Sequence, residues 1–148
     1  MVHKISRRSL MIGAATATLA GGGAWLAGRD RFAGQEMDPQ AAFDAARDGA
    51  ILLVDIRRPD EWMETGIPEG ATPIDMRRAD FIEALDALAT GDRGRRIALI
   101  CARGVRSDRM SARLTEAGFT RIADVPEGML GSRAGPGWLM RGLPVMRP

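Results

Sequence analysis

The stretch "CARGVRS" (residues 101–107) holds the side chains best suited to chemistry in this chain. Cys101 is the single cysteine, and it stands where the apolar run "RIALI" stops and a Gly- and Arg-rich turn begins. A structural cysteine is expected inside such a run, as a small buried hydrophobe. One at the end of the run is placed to react. If the turn leads into a helix, the backbone N–H groups of Ala102, Arg103, Gly104, Val105 and Arg106 converge on one small space. The helix N-terminus adds partial positive charge there. Gly104 supplies a backbone conformation that other residues resist, and Arg106 adds a guanidinium fork suited to oxyanions. Thiols in such surroundings ionise readily and need no histidine base. The reading is a nucleophile, Cys101, in a cradle for an anion or a charged sulfur adduct, with residues 102–106 as candidate substrate-binding residues.

Composition narrows the chemistry further. A lone cysteine forms no intramolecular disulfide and no Cys-x-x-Cys site. The single histidine is His3, so the rest of the chain has no Cys-His or Ser-His-Asp nucleophile pair and no His-based zinc site. No metal and no cofactor are expected. Residues 1–34 carry five basic side chains and one acidic, whereas residues 35–148 carry 16 basic and 18 acidic. The basic balance belongs to the leader, and a basic face for nucleic acid is not expected on the folded part.

The elements that must position the cysteine read as alternating helices and strands. Residues 30–37 read as a linker. Asp38 as N-cap, Pro39 at the first helical position and Gly49 past the end delimit a first helix. The continuous apolar run "ILLVDI" (51–56) reads as a strand buried on both faces. A short helix follows at 59–65, with acids in its first turn, then a short strand at 71–74. Asp80 and Glu83 have capping-box spacing at the head of a third helix ending at Gly91. Residues 96–101 form a second buried strand, 107–118 a helix, and 121–125 a third buried strand. This alternation predicts an α/β domain with a mostly parallel sheet. Ligands bind such sheets at the carboxyl ends of their strands, and Asp55 and Cys101 each end one. Trp62 and Trp138 read as packing residues.

At these residues the sequence resembles the rhodanese, or thiosulfate sulfurtransferase, domain. That family's active loop runs Cys-x-x-Gly-x-Arg-Ser, and "CARGVRS" matches it. "LLVDIRRPDEW" resembles its first core strand and the helix after it, "LTEAGFTRIADVPEG" the segment after the active-site helix, and "GWLMRGLPV" its C-terminal end. The resemblance covers roughly residues 38–146, with a domain expected over 35–148, and it implies a rhodanese-like α/β fold with a mostly parallel, five-stranded central sheet flanked by helices on both faces. It implies that Cys101 accepts a sulfane sulfur as a persulfide and passes it to a thiophilic acceptor. It also implies loop-supporting roles for Asp55, Arg57 and Ser107. The expected partners are a small anionic donor such as thiosulfate and a cyanide or thiol acceptor. "TGIPEGA" lacks a histidine that the family often has, and "PEGM" replaces its usual Gly-Gly. "MLGSRAGPG" (129–137) is longer than the typical spacing, which places Arg133 where it could reach an anionic substrate.

Two other readings remain open. A phosphatase or arsenate reductase of the same fold uses a wider Cys-x5-Arg loop, against Cys-x4-Arg here. A module that binds an anion or persulfide without turnover is the non-enzymatic rival. Residues 1–34 raise a separate expectation. "SRRSLM" followed by the mildly apolar run from Leu10 to Ala27 resembles a twin-arginine export signal. This implies recognition by twin-arginine machinery and a periplasmic destination. A cleavage point after Ala24 would release the domain, whereas a retained leader would tether it to the inner membrane.

Overall fold

A computed structural model describes residues 32–148, and the expected export signal lies outside them. The elements run β1 (Gln35–Glu36), α1 (Pro39–Arg47), β2 (Leu52–Asp55), α2 (Pro59–Thr65), β3 (Ile67–Pro68) and β4 (Ala71–Pro73). They continue α3 (Phe81–Leu88), β5 (Ile97–Ile100), α4 (Val105–Glu116), β6 (Ile122–Asp124), α5 (Gly137–Met140) and β7 (Val145–Met146). The central sheet has the order β1-β6-β5-β2-β4, and all of its pairings are parallel. A small antiparallel pair, β3 and β7, closes the domain's C-terminal end. Among the described residues no helix is long and apolar enough to cross a membrane.

Alternation along the buried strands sends successive side chains to opposite faces of the sheet. Ile97, Leu99 and Cys101 join Ile122, Met110, Leu114, Phe81 and Leu85 in one core, under α3 and α4. Ala98 and Ile100 join Ala123, Val125, Ala42 and Trp138 in the other, against α1 and α5. Burial on both faces explains why these strands are continuous apolar runs. Trp138 fills the second core. It is fully buried, donates from Nε1 to the Pro144 carbonyl at 2.9 Å and meets Phe43 edge-on. Trp62 packs at the margin of the same core.

The local signals hold at α1, where the Asp38 carboxylate accepts from Ala41 N–H at 2.9 Å and Pro39 opens the helix. Three readings need correction. The segment 30–37 is not all linker, because Gln35 and Glu36 add a parallel edge strand to β6. Asp80 makes no capping bond to α3; its carboxylate is taken by Arg78 at 2.7 Å. Helix α4 starts at Val105 rather than 107, so Val105, Arg106 and Ser107 form its first turn.

Candidate active site

Cys101 follows β5 directly, and its side chain is 1% exposed. Four residues separate it from Arg106 in the first turn of α4. Gly104, the N-cap, sits at φ +82, a left-handed conformation that favours glycine. A Cβ there would collide with the Pro126 carbonyl oxygen. Gly128 faces the loop from the other side, and a Cβ on it would lie 2.5 Å from the Ala102 oxygen. The loop is thus clamped between its own turn and residues 126–128.

Hydrogen bonding divides the loop's polar groups into two sets. The Cys101 carbonyl accepts from Met129 N–H, that of Ala102 from Leu130 N–H, and that of Gly104 from Asp108 N–H. The backbone N–H groups of residues 102–107 donate to no protein group among the described residues. The first N–H groups of a helix have no intrahelical partner, so the free donors at the head of α4 are suited to an anion. The Ser107 hydroxyl lies 3.5 Å from Cys101 Sγ and 3.1 Å from the Gly104 oxygen. Ser107 is fully buried, consistent with its expected loop-supporting place.

Arg106 stands in the first turn of α4 and is 31% exposed. Its two terminal nitrogens donate to the Glu61 carboxylate at 2.7 and 2.6 Å. That fork pulls the Glu61 carboxyl down to about 2, against the opposing effect of burial. Arg106 is raised in turn, mainly by its hydrogen bonds to Glu61. Glu61 belongs to α2, and the base of that helix is held by the Asp55–Arg57 pair. Arg57, 1% exposed, donates from Nε and Nη2 to Asp55, from Nη1 to Thr65 Oγ1 and from Nη2 to the Gly66 carbonyl. Asp55 and Arg57 therefore lie one step removed from the loop. They fix α2, α2 presents Glu61, and Glu61 aims Arg106.

The structure gathers the remaining site residues elsewhere. Arg103 donates to the Gly131 carbonyl at 3.2 Å. With Gly104, Val105, Asp124 and Arg133 it lines an open groove of about 1130 Å³, which neither Cys101 nor Arg106 lines. The 129–137 segment is not a free cover over the thiol. It is pinned by Glu127, which accepts from Gly137 N–H and forks to Arg141, and by Ser132 on the Pro126 carbonyl. Arg133 is exposed on its turn. Among the described residues no group of three or more ligating side chains is placed to share a metal ion.

Sequence reasoning missed Glu61, which reads locally as an ordinary first-turn acid, and Asp124, which reads as a strand end. Asp124 is 2% exposed, and its Oδ1 has no hydrogen-bond partner. Burial pushes its carboxyl up to about 7, with Asp108 and Glu36 adding to the rise and Ser107 opposing it.

The sequence profile of the rhodanese-like domain matches residues 38–133, more than half of the chain. The protein belongs to the rhodanese-like domain family. The 30 kDa polysulfide-sulfur transferase homodimer of Wolinella succinogenes is 27% identical, with a TM-score of 0.59 over 78% of this chain and 80% of that one. Thiosulfate sulfurtransferase from Pseudomonas aeruginosa shares the fold, at 19% identity and a TM-score of 0.60 over 77% of this chain and 20% of that one. The tRNA uridine(34) hydroxylase of Deinococcus radiodurans is 31% identical over 99 residues, 66% of this chain and 32% of that protein. The rhodanese-like chain thus spans about a third of the length of this curated relative, whose hydroxylation is a property of that protein. Family membership and the likeness to a polysulfide-sulfur transferase support sulfur transfer as the general chemistry.

Proposed function

We propose that the protein is a sulfurtransferase carrying a sulfane sulfur on Cys101. The observation that carries this reading is the run of N–H groups, residues 102–107, that follows Cys101 into the head of α4 and finds no partner among the described residues. In the first half-reaction the Cys101 thiolate attacks the outer sulfur of thiosulfate. The donor's S–S bond breaks, and sulfite leaves with the electron pair. The persulfide anion left on Cys101 lies where the N–H groups and Arg106 stabilise its charge. In the second, cyanide or a thiolate attacks the outer sulfur and the Cys101 thiolate is regenerated. The likeness to a polysulfide-sulfur transferase supports polysulfide as an alternative anionic donor. The "SRRSLM" leader supports delivery of this activity to the periplasm.

The test is an intact-mass measurement on the full chain after incubation with thiosulfate. A gain of one sulfur atom, removed by cyanide or a thiol and absent in Cys101→Ser, is expected. An unchanged mass with thiosulfate and with polysulfide would leave the protein an anion-binding module.

A further inference from the structure

The Cys101 carbonyl accepts from Met129 N–H at 2.9 Å, and the next carbonyl, of Ala102, accepts from Leu130 N–H at 2.9 Å. In a trans peptide the C=O and the N–H point in opposite directions. Holding these two carbonyls on residues 129 and 130 therefore turns the Ala102 and Arg103 N–H groups away from that segment. Neither N–H finds a partner among the described residues. The same pattern runs one layer further back. The Gly128 carbonyl shares a peptide group with the Met129 N–H and accepts from Trp138 N–H at 2.9 Å. The Met129 carbonyl shares one with the Leu130 N–H and accepts from Leu139 N–H at 3.1 Å. Two chains of hydrogen-bonded peptide groups thus start in α5, cross residues 128–130 and end on the free N–H groups of Ala102 and Arg103. Hydrogen bonds linked in such a chain polarise one another, which strengthens the donor at its end.

Both chains are only as fixed as α5, a helix of 4 residues and too short to hold its own shape. Glu127 supplies the hold. The residue is 4% exposed, and its carboxylate accepts from Gly137 N–H, at the head of α5, at 2.9 Å. It also accepts from Arg141, the C-cap of α5, with Nε at 2.9 Å and Nη2 at 2.6 Å. One side chain therefore ties the helix at both ends. The fit leaves no slack, since a Cβ on Gly135 would lie 2.5 Å from the Glu127 carboxyl carbon. We propose that Glu127 is a positioning residue that acts through α5 and residues 128–130 to aim the Ala102 and Arg103 N–H groups for an anion at Cys101. The presence of that anion rests on the proposed function, whereas the aim of the two donors is measurable without it.

The experiment compares the full chain with Glu127→Gln and Glu127→Ala. Glutamine keeps one oxygen for the Gly137 N–H, but its amide nitrogen donates and cannot take the second bond from Arg141. The first readout is the set of backbone amide resonances of isotope-labelled protein with no sulfur donor present. The Ala102 and Arg103 amides are expected to move together with those of Trp138 and Leu139 in both variants. The Val105 amide is the internal reference and should stay, because its peptide carbonyl, that of Gly104, is held within α4 by Asp108 N–H. A merely structural role for Glu127 would loosen α5 and leave the loop amides in place. The second readout is the rate at which thiosulfate adds sulfur to Cys101, followed by intact mass. Glu127→Gln is expected to slow it roughly tenfold, less than the ~10²–10³ cost of deleting one such donor outright. If Glu127→Ala does not fold, Glu127→Gln decides the matter. Unmoved Ala102 and Arg103 amides would overturn the proposal, as would an unchanged rate in the variant when wild type takes up sulfur. If the amides move as described but wild type takes up no sulfur, the aiming role stands and the sulfurtransferase reading fails.

Discussion

Breaking the fork between Glu61 and Arg106 tests how the active loop is held. The replacement is Glu61→Gln, because a glutamine oxygen still accepts from the Arg58 N–H that Glu61 caps at 3.1 Å. What is lost is the carboxylate's charge and one of the two acceptors for the short bonds of 2.7 and 2.6 Å, since the amide nitrogen that replaces Oε1 donates and cannot accept. Lowering a carboxyl from 4.5 to about 2 corresponds to about 3 kcal/mol at ~1.36 kcal/mol per unit. Arg106 is 31% exposed, and solvent screens the pair, so the discounted contribution is about 1–2 kcal/mol. The sign follows from the depressed carboxyl. The stabilisation is fully present above 4.5 and disappears as pH falls toward 2.

The assay is urea denaturation of wild type, Glu61→Gln, Arg106→Met and the double variant, read as a double-mutant cycle. A coupling of about 1–2 kcal/mol is expected at pH 7 and little at pH 2.5. Thiosulfate turnover by Glu61→Gln should fall about tenfold at pH 7, the kinetic equivalent of ~1.4 kcal/mol of lost positioning. A coupling below about 0.3 kcal/mol at pH 7, within the scatter of independent sites, would show that the fork does not order the loop. A coupling that does not change between the two pH values would show that it is not electrostatic.

Four further expectations follow from the same geometry. Cys101→Ser should abolish sulfur transfer while circular dichroism stays native, since no second thiol is present; appreciable thiosulfate:cyanide activity in the variant would end the persulfide reading. Gly104→Ala should cost about 2–3 kcal/mol or more in urea unfolding, because φ is +82 and the new Cβ meets Pro126; a neutral effect would mean that the loop shifts freely. Asp124→Asn should stabilise the fold by about 2–4 kcal/mol at pH 8. A carboxyl raised from 3.8 to about 7 destabilises the fold progressively across that window and not below it, so a pH-independent gain would refute the assignment. Arg7→Lys with Arg8→Lys should block export in a fractionation assay, because the pair is read by a receptor and not as bulk charge.

Much of the fold was legible because its core strands are buried on both faces. The runs 51–56 and 96–101 are apolar without interruption, and "DPQAAFDAARDG" carries its own start and stop signals. The parts that were not legible depend on distant partners. Gln35 and Glu36 are exposed and lack a strand pattern; they pair because β6 offers a free edge. Strands β3 and β7 are two residues each, one containing Pro68, too short for any period to show. At the site, Cys101, Gly104 and Arg106 were readable from seven consecutive residues. Glu61 was not, since its partner lies 45 positions away. Asp124 looks like any strand-end acid until its burial beside Ser107 is seen.

The cradle raises a folding problem that these distant contacts solve. A turn normally fixes its shape by hydrogen-bonding its own N–H groups, but here the N–H groups of residues 102–107 have no partner among the described residues. The loop must therefore be held by its carbonyls and side chains. Residues 129 and 130 take the Cys101 and Ala102 carbonyls, Asp108 takes that of Gly104, and Glu61 takes the Arg106 fork. The first set comes from the segment after β6, and the last from the helix after β2, so β5 is braced by its two neighbours in the sheet. Parallel pairing aligns all three carboxyl ends, which brings Asp55, Cys101 and Asp124 to one edge of the sheet although they lie far apart in sequence. The Asp55–Arg57 pair is then best understood as a fixed base for α2: with both partners at or near zero exposure and every strong donor engaged, it keeps Glu61 at the distance Arg106 requires. A loop that spends its donors on substrate can stay rigid only when its neighbours supply the bonds it has given up.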